Sequence, residues 1–248
     1  MAKWLEATVV ENKQWNDRLH SLRLQADFPE FKAGQFARLA MDIDGEQVIR
    51  PFSLVNAPDE TPLDFYFIEV PGGQLSPHLA RLEAGDNVQI APKATGLLTV
   101  DQLPEAKHLY LLSTGTGIGP FLSIIKNADT WQRFEKVVLV HAVRYQDELT
   151  YQDTIAEIQA KQADSFIYVP MVSREQCDFA LSGRIPQAIE DGNLAHWTGL
   201  DITPDDSQIM LCGNPAMIQD TMDLLIDNYG LKKHSRREPG HISIEKYW

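Results

Sequence analysis

Over residues 1–100 the apolar and polar positions alternate in short runs. The stretches EATVVENKQW, LHSLRLQAD, GQFARLAMDI, IRPFSLVNA, LDFYFIEV and NVQIAPKAT alternate or are rich in β-branched and aromatic residues. Turn residues divide them: Asp44-Gly45, Ala57-Pro58-Asp59, Pro71-Gly72-Gly73 and Ala84-Gly85-Asp86. A period of two marks a half-buried strand, and short strands with regular turn signals predict an antiparallel barrel. One helix is expected here, over SPHLARLEAG. Ser76 is its N-cap, Pro77 its first helical position and Gly85 its stop.

Near Pro104 the rhythm changes. HLYLLSTG, KVVLVHAVR, FIYVPMVSR and QIMLCGNP read as buried strands. GPFLSIIKNA, YQDTIAEIQAKQ, RIPQAIEDG and AMIQDTMDLLIDNYG, which come between and after them, read as helices. Strand–helix alternation predicts a parallel sheet covered on both faces. The expected architecture is a β barrel over residues 1–100 followed by an α/β domain over residues 101–248.

A chain of 248 residues can bury two such cores. No apolar run is long enough to span a bilayer, and MAKWLEATVV lacks the apolar core of a signal peptide, so the chain is expected to be cytoplasmic with no membrane partner. The net charge of −13 argues against a nucleic-acid surface. KKHSRR, residues 232–237, runs against that sign. It is read either as a solvated loop or as a dock for an acidic partner. Two cysteines, Cys177 and Cys212, are too few for a zinc ribbon or a four-thiolate cluster, so no metal is expected.

Three places suit phosphate. TGTGIGP, residues 114–120, leaves a strand and enters a helix at Pro120. Its glycines serve either a close-approaching anion or tight packing. Arg144, Arg174 and Arg184 stand at or just past strand ends, where ligands of open parallel sheets bind. Singly they are surface arginines; together they favour a 2′-phosphate over a ribose hydroxyl. Gly72-Gly73, before the helix expected at Ser76, make the third place. Two phosphate-type sites in two domains suggest two nucleotides.

RPFS (50–53), GGQLSP (72–77), TGTGIGP (114–120), HAVR (141–144), VSRE (172–175), CGNP (212–215) and the terminal EKYW (245–248) occur in that order. In this combination the chain resembles the bacterial ferredoxin/flavodoxin–NADP reductases. The resemblance implies an FAD-binding antiparallel barrel followed by an NADP-binding parallel domain. It implies that Arg50 meets the FAD pyrophosphate, with Gln74, Leu75 and Ser76 adding backbone groups, and that Pro51 and Phe52 lie along the cofactor. Ser53 would sit near flavin N5, with Tyr66 and Thr116 lining the ring. Cys212 would face the nicotinamide, and the three arginines would take the 2′-phosphate. Tyr247 would cover the flavin and Trp248 the adenine. Phe52 departs from the family's tyrosine, keeping a stacking face and losing a hydroxyl.

The implied activity is electron passage between NADPH and ferredoxin or flavodoxin. It proceeds by hydride transfer to flavin N5 and one-electron release, with Ser53, Cys212 and Tyr247 at the reacting atoms and a monomer as the working unit. Two alternatives share the scaffold. One is an NADPH-dependent flavin or quinone reductase with a diffusible acceptor. The other is a non-catalytic nucleotide-binding electron-transfer subunit.

Overall fold

A computed structural model of the chain describes residues 4–246. The alternating runs of the first half form β1 (Leu5–Gln14), β2 (Leu19–Gln25), β3 (Phe36–Ile43), β4 (Glu46–Ser53), β5 (Leu63–Ile68) and β6 (Asn87–Ile90). They pair antiparallel in the order β4-β3-β6-β1-β2-β5. A bridge between Leu54 and Phe65 joins the end of β4 to β5 and closes the sheet on itself. Leu22, Leu24, Leu39, Phe65, Phe67 and Ile90 fill the interior.

The helix expected over SPHLARLEAG is a single turn, α1 (Ser76–Leu79). Ser76 is not its cap: the residue before the helix is Leu75, and the Ser76 hydroxyl accepts instead from the Val70 amide at 3.0 Å. The chain turns away after Leu79 because Asn12 on β1 takes its carbonyls. The Asn12 side-chain amide donates to Leu79, Ala80 and Leu82 at 3.0, 3.1 and 2.8 Å. A carbonyl satisfied from outside leaves nothing for a helix to gain there.

The second half builds β7 (His108–Thr114), β8 (Lys136–Val143), β9 (Phe166–Val172), β10 (Leu181–Ser182), β11 (Ser207–Gly213) and β12 (Ile242–Lys246). All pair in parallel, in the order β10-β9-β8-β7-β11-β12. The chain runs outward from β7 to β10, then crosses back to lay β11 on the other side of β7. Such a reversal opens a crevice at the carboxyl ends of the two central strands. The four expected helices are α2 (Gly119–Lys126), α4 (Gln152–Lys161), α5 (Ile185–Glu190) and α7 (Pro215–Tyr229). Two short ones, α3 (Ala128–Arg133) and α6 (Asn193–Thr198), add to them.

One face of this sheet packs Tyr110, Leu112, Val138 and Val140 on Ile218 and Leu225 of α7. The other packs Leu109, Leu111 and Leu139 on Phe121 and Ile124 of α2, and the same cluster takes in Leu19, Val55 and Tyr66 from the barrel. A shared apolar core therefore sets the barrel against the α2 face of the sheet. No helix among the described residues is long and apolar enough to cross a membrane.

Candidate functional site

At the rim of the barrel, β4 and the loop before α1 come together. The Arg50 guanidinium is exposed and donates to the side-chain oxygen of Gln74 and, at 2.7 Å, to the Ile49 carbonyl. Pro51 is exposed. Phe52 is half-buried with its ring edge-on to Phe67, centroids 5.9 Å apart. Leu75 is an interior residue of the barrel and anchors the loop that presents Gln74 and Ser76. An exposed guanidinium beside a glycine-rich loop is a donor set that suits a diphosphate.

Facing that rim are the carboxyl ends of β7, β11 and β12. A tight 3-10 turn, Gly115–Ile118, leads from β7 into α2, with Pro120 in the first helical turn. Gly115 adopts φ +52, which glycine takes without strain. Gly117 is glycine for a different reason. A Cβ there would lie 2.5 Å from the Cys212 carbonyl oxygen and 2.8 Å from the Gly213 Cα. Replacing Gly117 by alanine must push backbone apart, so a loss of about 1–3 kcal/mol is expected, seen as a fall in Tm of several degrees. An unchanged melting curve would show that the turn does not pack on β11. Ser113 and Cys212 stand side by side in the β7–β11 register, and Glu245 pairs beside Cys212 from β12.

Ser53 and Glu245 link the two edges. Ser53 is buried and Glu245 half-buried, and the Ser53 hydroxyl donates to Glu245 Oε1 at 3.5 Å across 192 positions of sequence. Burial pushes the Glu245 carboxyl up to about 7, against a smaller lowering by the Ser53 hydroxyl. It therefore changes protonation state near neutral pH, as a group that gives and takes protons must.

Arg144 and Arg174 lie one and two residues beyond β8 and β9, and Arg184 follows β10. All three are exposed, and none of them is paired with a carboxylate within 4.0 Å among the described residues. The Arg174 amide donates to the Arg144 carbonyl at 2.9 Å, which draws these two ends together. The acid that follows Arg144 in sequence is occupied locally: Glu148 Oε2 accepts from the Arg144 and Tyr145 amides at 2.8 and 3.2 Å.

Thr116 belongs to the crevice at the end of β7, and Tyr66 to the barrel face packed on the second domain. Tyr66 does not share the Phe52 face. Phe65 and Phe67 point into the barrel, so Tyr66 points outward, buried against the second domain, where its hydroxyl accepts from Thr150 at 2.8 Å. Thr116 is buried in the turn after β7. KKHSRR lies at the amino end of β12, where Lys233 bridges to Ile242, and so at the opposite end of that strand from Glu245. Tyr247 and Trp248 lie outside the described residues.

Residues 6–95 match the oxidoreductase FAD-binding domain model, and residues 111–223 match the oxidoreductase NAD-binding domain model. The flavodoxin/ferredoxin–NADP reductase of Escherichia coli K12 is 43% identical over 248 residues, covering the whole of both chains. The chain belongs to the flavodoxin/ferredoxin–NADP reductase family. It is an oxidoreductase with an FAD-binding and a nicotinamide-nucleotide-binding domain. The ferredoxin–NADP reductase of Pseudomonas aeruginosa is 39% identical over 96% of this chain and 95% of its own. A solved ferredoxin NADP+ reductase from Neisseria gonorrhoeae, with bound FAD and NADP, is similar over 100% of both chains, with a TM-score of 0.94 at 33% identity.

For a reductase of this family, the residue that sequence reasoning passed over is Glu245. It opens EKYW, the last of the sequence motifs, and follows HISI. The available signal was the alternation Ile242, Ile244, which predicts a strand and puts Ser243 and Glu245 together on its other face.

Proposed function

We propose that this reductase passes electrons between NADPH and ferredoxin or flavodoxin through FAD held between the two domains. The division of labour falls at about residue 100. The observation that supports it most directly is the Ser53–Glu245 contact, which joins the FAD-type edge of the barrel to β12, beside Cys212 at the end of β11. FAD supplies the conversion of a hydride, accepted at its N5, into electrons released singly. The protein's part is position and proton traffic.

Arg50, Gln74 and Ser76 hold the diphosphate, with Pro51 and Leu75 shaping the strand and loop that carry them. Phe52 offers its exposed face to the ring. Thr116 and Cys212 wall the nicotinamide crevice. The buried walls exclude water, which strengthens each polar contact inside. Glu245, raised by burial to about 7 and accepting at Oε1 from the Ser53 hydroxyl, can gain and lose a proton near neutral pH and would supply it beside a bound flavin. Arg144, Arg174 and Arg184 bind the 2′-phosphate. The working unit is one chain in the cytoplasm, and a net charge of −13 disfavours a nucleic-acid surface.

The test is direct. Purified protein is yellow and releases FAD on heating. NADPH bleaches it within the stopped-flow record, and added ferredoxin or flavodoxin restores the colour. Release of FMN, or no flavin, overturns the two-nucleotide reading. Reoxidation by free flavin or quinone with no response to either protein overturns the partner.

A further inference from the structure

The loop between β8 and α4, which begins with Arg144 and ends with Tyr151, is tied down on both sides. On the sheet side the Gln146 amide donates to the Glu175 carboxylate, and Glu148 caps the loop's first amides. On the barrel side the contacts are more numerous. Thr150 donates to the Tyr66 hydroxyl at 2.8 Å. The Tyr151 hydroxyl lies 2.5 Å from Ser21 Oγ and 3.3 Å from each carboxylate oxygen of Asp64. Trp15 donates to the same Ser21 oxygen at 2.7 Å and lays its ring 4.9 Å from that of Tyr151. Asn16 reaches Asp147 at 3.4 Å.

Ser21, Asp64, Tyr66, Thr150 and Tyr151 are all buried. Polar groups taken out of water at this density have to satisfy one another, and a network that does so admits one arrangement. The Tyr151 backbone shows how firmly it is imposed. It sits at φ +58 and ψ 25, left-handed values that an aromatic residue adopts only where its surroundings hold it. Apolar packing alone would not require this, since Trp15, Tyr66 and Tyr151 could meet without their hydroxyl and indole partners. The network joins β2 and β5 of the barrel to the segment that presents Arg144.

We propose that Thr150 and Tyr151 are positioning residues for NADPH. Anchored on Ser21, Asp64 and Tyr66, they place the Arg144 loop against the 2′-phosphate, so that discrimination between NADPH and NADH depends on the contact between the two domains. The inference rests on the phosphate role proposed for Arg144.

The experiment uses holoenzyme and measures NADP⁺ and NAD⁺ binding by the flavin difference spectrum, with KM and kcat for NADPH and NADH. Tyr151→Phe removes one hydroxyl and keeps the ring. It is expected to weaken NADP⁺ about fivefold, the worth of one net hydrogen bond, with kcat and NADH use unchanged. Thr150→Val behaves alike and Thr150→Ser restores the wild-type affinity, which keeps the test open if Tyr151→Phe folds poorly. In an Arg144→Ala background Tyr151→Phe adds no further loss, because the loop then has no phosphate contact to place. Equal losses with NADPH and NADH, or full additivity with Arg144→Ala, overturn the anchor alone. An Arg144→Ala enzyme that uses NADPH normally overturns the phosphate reading, and the anchor with it.

Discussion

Replacing Arg144 and Arg184 together by alanine lowers kcat/KM for NADPH about 100-fold and changes kcat/KM for NADH by less than about twofold. The direction follows from what the two nucleotides do not share, a 2′-phosphate. The guanidiniums stand exposed past the ends of β8 and β10, with no carboxylate partner among the described residues. A charge-assisted hydrogen bond contributes about 1.5–3 kcal/mol when well formed. Solvent screening puts exposed arginines toward the low end, about tenfold apiece. The selectivity should therefore shrink as salt rises, and should do so less in the double variant, which has lost the screened charges. Steady-state kinetics with both nucleotides at two ionic strengths decides it. Parallel losses with NADPH and NADH would move these arginines to a part of the nucleotide common to both.

Glu245→Gln is expected to lower turnover about 100-fold, the lower end of what a positioned proton donor contributes. The glutamine keeps the shape and the bond to Ser53 but cannot gain or lose a proton. Because the Glu245 carboxyl sits at about 7, the wild-type rate should show a step near neutral pH that the variant lacks. Ser53→Ala removes the contact that lowers this value, so the step should move upward. The same shift predicts a stability effect of definite sign. The folded carboxyl binds its proton more tightly than the unfolded one. Its burial therefore costs stability above pH 7, where both forms are ionised, and that cost fades as pH falls through 7 towards the ordinary glutamate range. Glu245→Gln should accordingly melt higher than wild type at pH 8, by on the order of 1–3 kcal/mol, and the advantage should vanish near pH 5. A variant that keeps the neutral pH step in its rate would assign that step to another group.

Both expectations depend on contacts of different legibility. Arg144 and Arg174 could be placed at strand ends because VVLVHAVR and VPMVSR are runs that a buried parallel strand requires, and polarity returns where the strand leaves the sheet. Glu245 could not be placed in this way. Its partner Ser53 is 192 residues away, and nothing in either segment's pattern refers to the other. Tyr66 shows a related limit. In LDFYFIEV three aromatic residues follow one another, so alternation says that Phe65 and Phe67 share a face but not which face is the interior.

What the sequence by itself determined is therefore what period and turn chemistry encode: the strands of β1 to β9 and β11, four of the helices, the glycine turn after β7 and the succession of an antiparallel by a parallel architecture. These follow from interactions between near neighbours along the chain, so local residue types suffice. Tertiary structure alone decided that the helix at Ser76 stops after one turn, because its carbonyls bond to Asn12 on β1. It decided that β12 pairs with β11 and so brings Glu245 beside Cys212 and opposite Ser53. It also decided that Tyr151 is held left-handed by the barrel. In each case a polar group found its partner from a distant segment, and burial of both made that choice outweigh the local preference.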